Sequence, residues 1–285
     1  MNFALACFAV LFAASHGGAV HPALDSLAVF QVPLGLMLLA CCVWRLRWWK
    51  GAMALATLAS LASSQFLWDL GNDKSGDITL YQKNLGAWNV MHQDILDDIA
   101  KYDPDVLTFQ EVSWLNQPIL DALKESHPYQ HKCNFGDTYS MAIVSRLPPT
   151  DVPPICSQFR GLAAQEFVTP SGTGWIVSIH LLWPWPFEQP DQIKMVLDSL
   201  STLDGPVIAA GDFNQVPWSH AVQRVSDMTG APNQGPSAQT FQFKHDIFKY
   251  VAQLPIDHVL APRGSVTRHE YHDSDHRALV ARVGF

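Results

Sequence analysis

The stretch Pro206-Val-Ile-Ala-Ala-Gly-Asp-Phe-Asn214 decides how this chain folds. Val207 to Ala210 form a short apolar run, rich in branched side chains and bounded by Pro and Gly, the pattern of a buried strand. Gly211 ends the run, and Asp212 and Asn214 then offer a carboxylate and an amide at the strand's C-terminal edge. In layered α/β proteins that edge is where ligand sites gather. An anionic acceptor beside a neutral donor can hold a nucleophilic water with one group and a phosphate oxygen with the other.

Outward from this stretch, patterning predicts strands over 78–83, 105–110, 129–133, 141–145, 163–168, 174–180, 256–260, 266–271 and 278–283. Helices are predicted over 89–101, 117–124, 191–200 and 219–228. Strands that partly alternate with helices and partly run as hairpins imply mixed sheets covered by helices. Several polar residues stand at strand boundaries where apolar periodicity does not explain them: Asn84, Glu111 and His180 end strands, Asp257 and His258 sit within Pro255–Leu260, and Ser274-Asp-His276 precedes the last strand.

Residues 1–68 have a different character. Three uncharged, largely apolar runs lie at about 2–20, 27–44 and 51–68, each near the roughly 18–20 residues needed to cross a hydrocarbon core. Trp44, Trp48, Trp49 and Trp68 fall at run ends, where indoles favour the interface. Arg45, Arg47 and Lys50 form the basic loop and place it in the cytoplasm, so everything after the third run emerges outside. Ala13-Ala14-Ser15 also permits a cleaved signal peptide for the first run, although a basic n-region is missing. Residues 69–76 are polar and turn-rich, a linker that spans only roughly 28 Å when extended. The region 77–285 is then a single domain held close to the bilayer.

Charged residues make up 15% of the chain, against about a quarter in typical domains. From Lys74 onward there are 15 basic and 23 acidic residues and no Lys/Arg stripe, so the electrostatic footprint of a tight duplex-DNA binder is missing. Cys7, Cys41 and Cys42 lie in the apolar runs and read as small packing residues. Cys133 and Cys156 form the pair in the soluble part, and spacing alone leaves a bridge between them open.

The ordered series Asn84, Gln110-Glu111, His180, Gly211-Asp-Phe-Asn214, Ile256-Asp-His258 and Ser274-Asp-His276 resembles the endonuclease/exonuclease/phosphatase superfamily, which includes deoxyribonuclease I-like nucleases, neutral sphingomyelinases and inositol-polyphosphate 5-phosphatases. The likeness spans about 77–285. It implies a four-layer α/β sandwich, two mixed β-sheets flanked by helices, here preceded by transmembrane helices. It also implies Mg²⁺, or Mn²⁺ in its place, with Glu111 as main ligand and Asn84 and Asp275 beside it. In the same way it implies His276 as general base or phosphate-polarising group, Asp257 as its orienter, Asp212 as partner of the attacking water, and Asn214 and His180 as phosphoryl donors.

Other residues carry rival readings. The run His269-Glu-Tyr-His272-Asp-Ser-Asp-His276 has the composition of a zinc site, yet alternation in an extended segment splits it over two faces. His269 and His272 are therefore expected at the rim or surface. His258 stands where relatives often carry an aromatic. His92, His127, His131, His220 and His245 read as solvated. Arg160 either binds substrate or pairs with a surface acid. Trp183 and Trp185, in a Pro-braced loop after His180, either pack on their own domain or form an apolar rim for substrate or membrane.

Together these readings predict a metal-dependent phosphoric ester hydrolase on the periplasmic face of a bacterial inner membrane, with the bilayer as its partner. Its expected substrate is a lipid headgroup or another phosphodiester. A nuclease or nucleotide-scavenging hydrolase is the alternative, and a non-catalytic membrane-anchored binding module the second.

Overall fold

The computed structural model describes residues 2–43, 48–65, 76–235, 239–243 and 253–285. Helix α1 (Asn2–Ala14) leads through a turn into α2 (Pro22–Ser26), a 3₁₀ turn (Leu27–Phe30) and α3 (Gln31–Val43); α4 (Trp48–Gln65) follows. These helices pack on one another through Leu5, Phe12, Leu38 and Cys42. Among the described residues one helix, Pro22–Val43, is long and apolar enough to cross a membrane. The first apolar run is helical only as far as Ala14. Trp44, Arg45, Arg47, Trp68 and linker residues 69–75 lie outside the described residues.

The remaining chain alternates strands with helices. In order come β1 (Ile78–Asn84), α5 (His92–Tyr102), β2 (Val106–Val112), α6 (Gln117–Ala122), β3 (Tyr129–Cys133) and β4 (Ser140–Ser145). Next are β5 (Ile155–Cys156), β6 (Leu162–Thr169), β7 (Gly172–His180), α7 (Gln189–Leu200), β8 (Val207–Asp212) and α8 (His220–Thr229). Strands β9 (Phe241–Gln242), β10 (Gln253–Leu254), β11 (Asp257–Leu260), β12 (Arg263–Arg268) and β13 (Leu279–Gly284) finish it.

Two mixed sheets result, six-stranded β12-β13-β1-β2-β4-β3 and five-stranded β11-β8-β7-β6-β5, with β9 and β10 as a small separate pair. Period-two alternation sorts each strand's side chains between two faces. Ile78, Leu80, Val106 and Ile143 of one sheet meet Phe167, Ile176, Ile208 and Ala210 of the other. On the outer faces, Leu107, Phe109 and Val144 pack under Ile95, Ile99 and Ile119 of the α5–α6 side. Val177, Ala209 and Ile179 pack under Ile193, Val196 and Val222 of α7 and α8. The predicted four-layer sandwich is present.

Two expectations shift. The strand expected at 266–271 runs at Arg263–Arg268, where it pairs with β13 throughout. His127 is buried, not solvated: it fills the space under the start of β2, with Nε2 2.9 Å from Pro104 O and Nδ1 2.8 Å from Ser126 Oγ. Cys133 and Cys156 are bridged, their Cα atoms 5.6 Å apart. His245 lies outside the described residues.

Candidate active site

The inward faces that begin apolar end polar, all at one edge of the sandwich. Ile78 and Leu80 give way to Gln82 and Asn84, Val106 to Thr108 and Gln110, Ile176 to Ser178 and His180, and Ile208 and Ala210 to Asp212. Register then brings the ends together. His180 lies opposite Asp212 across β7 and β8, Asp257 opposite Asp212 across β11 and β8, and Asn84 opposite Gln110 across β1 and β2.

Backbone geometry at the edge is specialised. A Cβ on Gly211 would sit 1.9 Å from Ile179 O, so only glycine lets β7 and β8 run this close. Glu111 and Asn214 are left-handed, with φ of 53° and 49°. For a non-glycine residue such a conformation costs of order 1–3 kcal/mol and is held by its surroundings. At Glu111 it coincides with a register shift between Phe109 and Val112. That shift turns the carboxylate out of the strand toward the cleft.

The side chains form one bonded array. His276 Nδ1 lies 2.8 Å from Asp257 Oδ2, and His276 Nε2 lies 3.6 Å from Asp212 Oδ2. Gln82 donates to the other Asp257 oxygen at 3.1 Å. Asn84 Nδ2 donates to both Glu111 and Asp212 at 3.1 Å, while its Oδ1 accepts from Gly86 N. Ala87 N donates to the second Glu111 oxygen. Asp212 also accepts from Asn214 N at 2.8 Å, and Asn214 Nδ2 donates to Leu181 O. His180 Nε2 stands 3.9 Å from Glu111 and 3.7 Å from Asp212.

Burial and mutual charge shift these groups. Burial drives Asp212 up to about 8, against the pull of His276. For His276 burial opposes the charge, but Asp257 and Asp212 overcome it and push the imidazole up to about 10. Burial also opposes ionisation of Asp257, yet His276 holds it below its ordinary value. Glu111 behaves likewise, with His180 and His276 outweighing burial.

These groups open into a cleft of about 250 Å³ whose walls include Glu111, Asp275, Arg160, Tyr139, Trp183, Phe241 and His276. Arg160 stacks on Tyr139, its guanidinium 4.0 Å from the ring centre, and has no ion-pair partner among the described residues. Phe241 touches both Trp183 and His276. Trp185 is not in the cleft; on the far side of Pro184 it faces His21 instead. His258 is buried with Nε2 2.7 Å from Gln215 O, against the Phe213 ring. His272 pairs with Asp98 and His269 packs on Tyr102, both away from the cleft.

A divalent cation suits this edge. The carboxylates of Glu111 and Asp275 and the amide oxygen of Asn84, which keeps a second lone pair, are hard oxygen donors, with no thiolate among them. Asp212, Asp257 and His276 form a second acidic/His cluster that is compact enough for an ion.

Sequence reading missed several supporting groups. Lys83, buried and pushed down to about 7 by that burial, donates to Tyr271 O and His276 O and so holds the histidine's loop. Thr240 Oγ1 accepts from Asp257 N. Gln82 was within reach of sequence, since it precedes Asn84 by two and must share its face. Lys83 and Thr240 carry no comparable signal.

The fold and this edge define an α/β phosphoesterase sandwich. The Endonuclease/Exonuclease/phosphatase family model matches residues 86–276, and the chain belongs to that family. Its members act on phosphoesters and typically depend on a divalent metal. Among solved structures it is similar to a humanized D. rerio TDP2 carrying 14 mutations (TM-score 0.57, 17% identity, 73% of this chain and 99% of that one). A family protein from Leptotrichia buccalis gives TM-score 0.59 at 15% identity, covering 73% and 100%. The 3′ phosphatase NExo from Neisseria, bound to a product DNA hairpin, gives 0.55 at 18%, covering 73% and 100%. No curated protein matches in sequence.

Proposed function

We propose that the chain is a membrane-anchored phosphodiesterase that hydrolyses a lipid-headgroup or other periplasmic phosphodiester at the outer face of a bacterial inner membrane. The observation that carries this reading is His276, fixed by Asp257 and facing Asp212, in a cleft that also holds Arg160, which has no ion-pair partner among the described residues. The apolar helix Pro22–Val43 supports the anchor, and the aromatic wall of Tyr139, Trp183 and Phe241 supports an amphiphilic substrate.

The residues divide the chemistry. Asp212, in its ionised form, accepts the proton of the attacking water. The water oxygen bonds to phosphorus as the opposite ester P–O bond breaks in line, and the leaving oxygen takes that electron pair and a proton from solvent. Cationic His276, kept charged by Asp257, donates to the phosphoryl oxygen as charge builds there. Arg160 takes a second anionic oxygen of the substrate, and Asn214 and His180 shape the phosphoryl site. Glu111, Asp275 and Asn84 are the residues that would hold Mg²⁺, or Mn²⁺ in its place, which supplies positive charge against the transferring group.

The full chain in detergent with Mg²⁺ should hydrolyse bis(p-nitrophenyl) phosphate and phospholipid in mixed micelles, and His276→Ala and Asp212→Asn should hydrolyse neither. Plasmid nicking without phospholipid turnover would replace the lipid reading with a nuclease. Equal inactivity of wild type and both variants would leave a binding module. A reporter fused at the C-terminus tests the orientation, and a cytoplasmic signal would overturn it.

A further inference from the structure

The N-terminal segment does not merely precede the catalytic domain; it grips it. Asp25 in α2 is buried, and its carboxylate accepts from His220 N at 2.6 Å and Ala221 N at 3.1 Å. These are the first two amides of α8. The next, Val222 N, goes to Ser219 Oγ. Helix N-termini leave such donors unsatisfied and favour negative charge. Here an acid 195 positions away supplies both needs.

Neighbouring contacts fix the same joint. Trp218 Nε1 donates to Ala28 O at 2.9 Å, and Ser26 Oγ donates to Trp185 O at 2.9 Å. The His21 and Trp185 rings meet edge to face at 6.4 Å. A Cβ on Gly18 would lie 2.4 Å from Asp25 Oδ1 and 2.9 Å from His220 Cβ, so glycine is what lets the turn pass beneath the joint. Two features tie this joint to function. The apolar helix continues directly from Ala28 to Val43, while Trp185 stands two residues from Trp183, a wall of the catalytic cleft.

We propose that the segment from Gly17 to Phe30 is a dock that holds the catalytic domain in one orientation on its own N-terminal apolar helices, with Asp25 as the positioning residue that directs the cleft to phosphodiesters carried in the same bilayer. A domain on a flexible linker samples many orientations, and most of them turn the cleft away from lipid. Docking removes that rotational freedom before substrate arrives, so it favours bilayer-borne substrate and leaves soluble substrate indifferent. The proposal rests on the phosphodiesterase reading above and names the source of its substrate.

The test uses the full chain in nanodiscs of phosphatidylethanolamine and phosphatidylglycerol, with Asp25→Ala and Trp218→Phe as variants. Loss of charge-assisted hydrogen bonds of this kind predicts that nanodisc lipid turnover falls by about tenfold in Asp25→Ala. Trp218→Phe, which keeps one aromatic ring but loses the N–H bond to Ala28 O and part of the ring volume, falls less. Hydrolysis of bis(p-nitrophenyl) phosphate stays unchanged in both, and amide hydrogen exchange at His220 to Val222 accelerates in Asp25→Ala. Equal loss on both substrates in both variants, or no loss on lipid in either, overturns the dock. So does rapid exchange at these amides in the wild type. If the wild type cuts the soluble diester and no lipid, the lipid reading fails, and the dock is judged on exchange alone.

Discussion

Asp212 and Asp25 are both buried acids that accept backbone N–H groups, yet they stand in opposite relation to stability. Asp25 completes a helix: its carboxylate meets two amides that would otherwise lack partners, in a contact that joins two regions. Asp212 is crowded. It shares its edge with Asp257 and Glu111, and burial drives its proton affinity far above that of an ordinary carboxylate. A buried acid with matched donors supports a fold, whereas one among other acids is retained for chemistry, at a cost in stability.

The largest break in this comparison is catalytic. His276→Ala and Asp212→Asn should each lower kcat by about 10²–10⁴, the range for loss of a positioned acid or base. Asp25→Ala should leave kcat on a soluble diester intact. Steady-state kinetics on bis(p-nitrophenyl) phosphate decide it, and comparable kcat losses in all three would erase the distinction.

Next in size is the hinge between core and site. Gly211→Ala places a methyl carbon against Ile179 O, at a backbone conformation that alanine resists, and should cost about 3 kcal/mol of unfolding free energy. Urea unfolding measures it. An alanine variant of wild-type stability would mean that the close approach of β7 and β8 is not needed to assemble His180 and Asp212.

The same contrast explains what could be read in the sequence. Strand ends of the form apolar, apolar, then Asn, His or Asp broke their own periodicity, and so Asn84, His180 and Asp212 announced themselves, whereas Asp257 opens its strand and was legible only beside the other polar positions. Glu111 was visible as a polar strand end, but its left-handed turn into the cleft was not, because a bulge depends on the partner strand. Trp183 and Trp185 were indistinguishable until the chain between them set one in the cleft and the other on the dock. Asp25 was passed over altogether. A lone acid in an apolar stretch has no local pattern, and its partners lie at the start of a helix far away in the chain.

His258 offers a smaller effect with a definite sign. Burial drives its pKa down to about 4, with the bond to Gln215 O opposing that shift. The unfolded chain therefore takes up a proton near pH 6.5, while the folded protein does not until about pH 4. Between those values the unfolded state binds more protons, so stability falls as pH falls, by about 2 kcal/mol from pH 6.5 to pH 5. His258→Phe should flatten this part of the profile while losing the bond to Gln215. Urea midpoints at the two pH values test it, and an unchanged slope would show that the acid sensitivity arises elsewhere, in the Asp212 cluster first of all.

The smallest effect bears most directly on the two acids. Asp212→Asn keeps the shape of the side chain and removes a buried carboxyl that its surroundings resist ionising, so its unfolding free energy should equal or exceed that of the wild type. Asp25→Ala strips α8 of an acceptor for two amides and should cost about 1–2 kcal/mol, the usual worth of a helix cap. Urea unfolding of the full chain, followed by fluorescence of the catalytic domain, compares them on one scale. A stabilised Asp25→Ala protein, or an Asp212→Asn protein weaker than Asp25→Ala, would reverse the assignment. The dock would then be the strained element, and the catalytic edge would be a structural network in its own right.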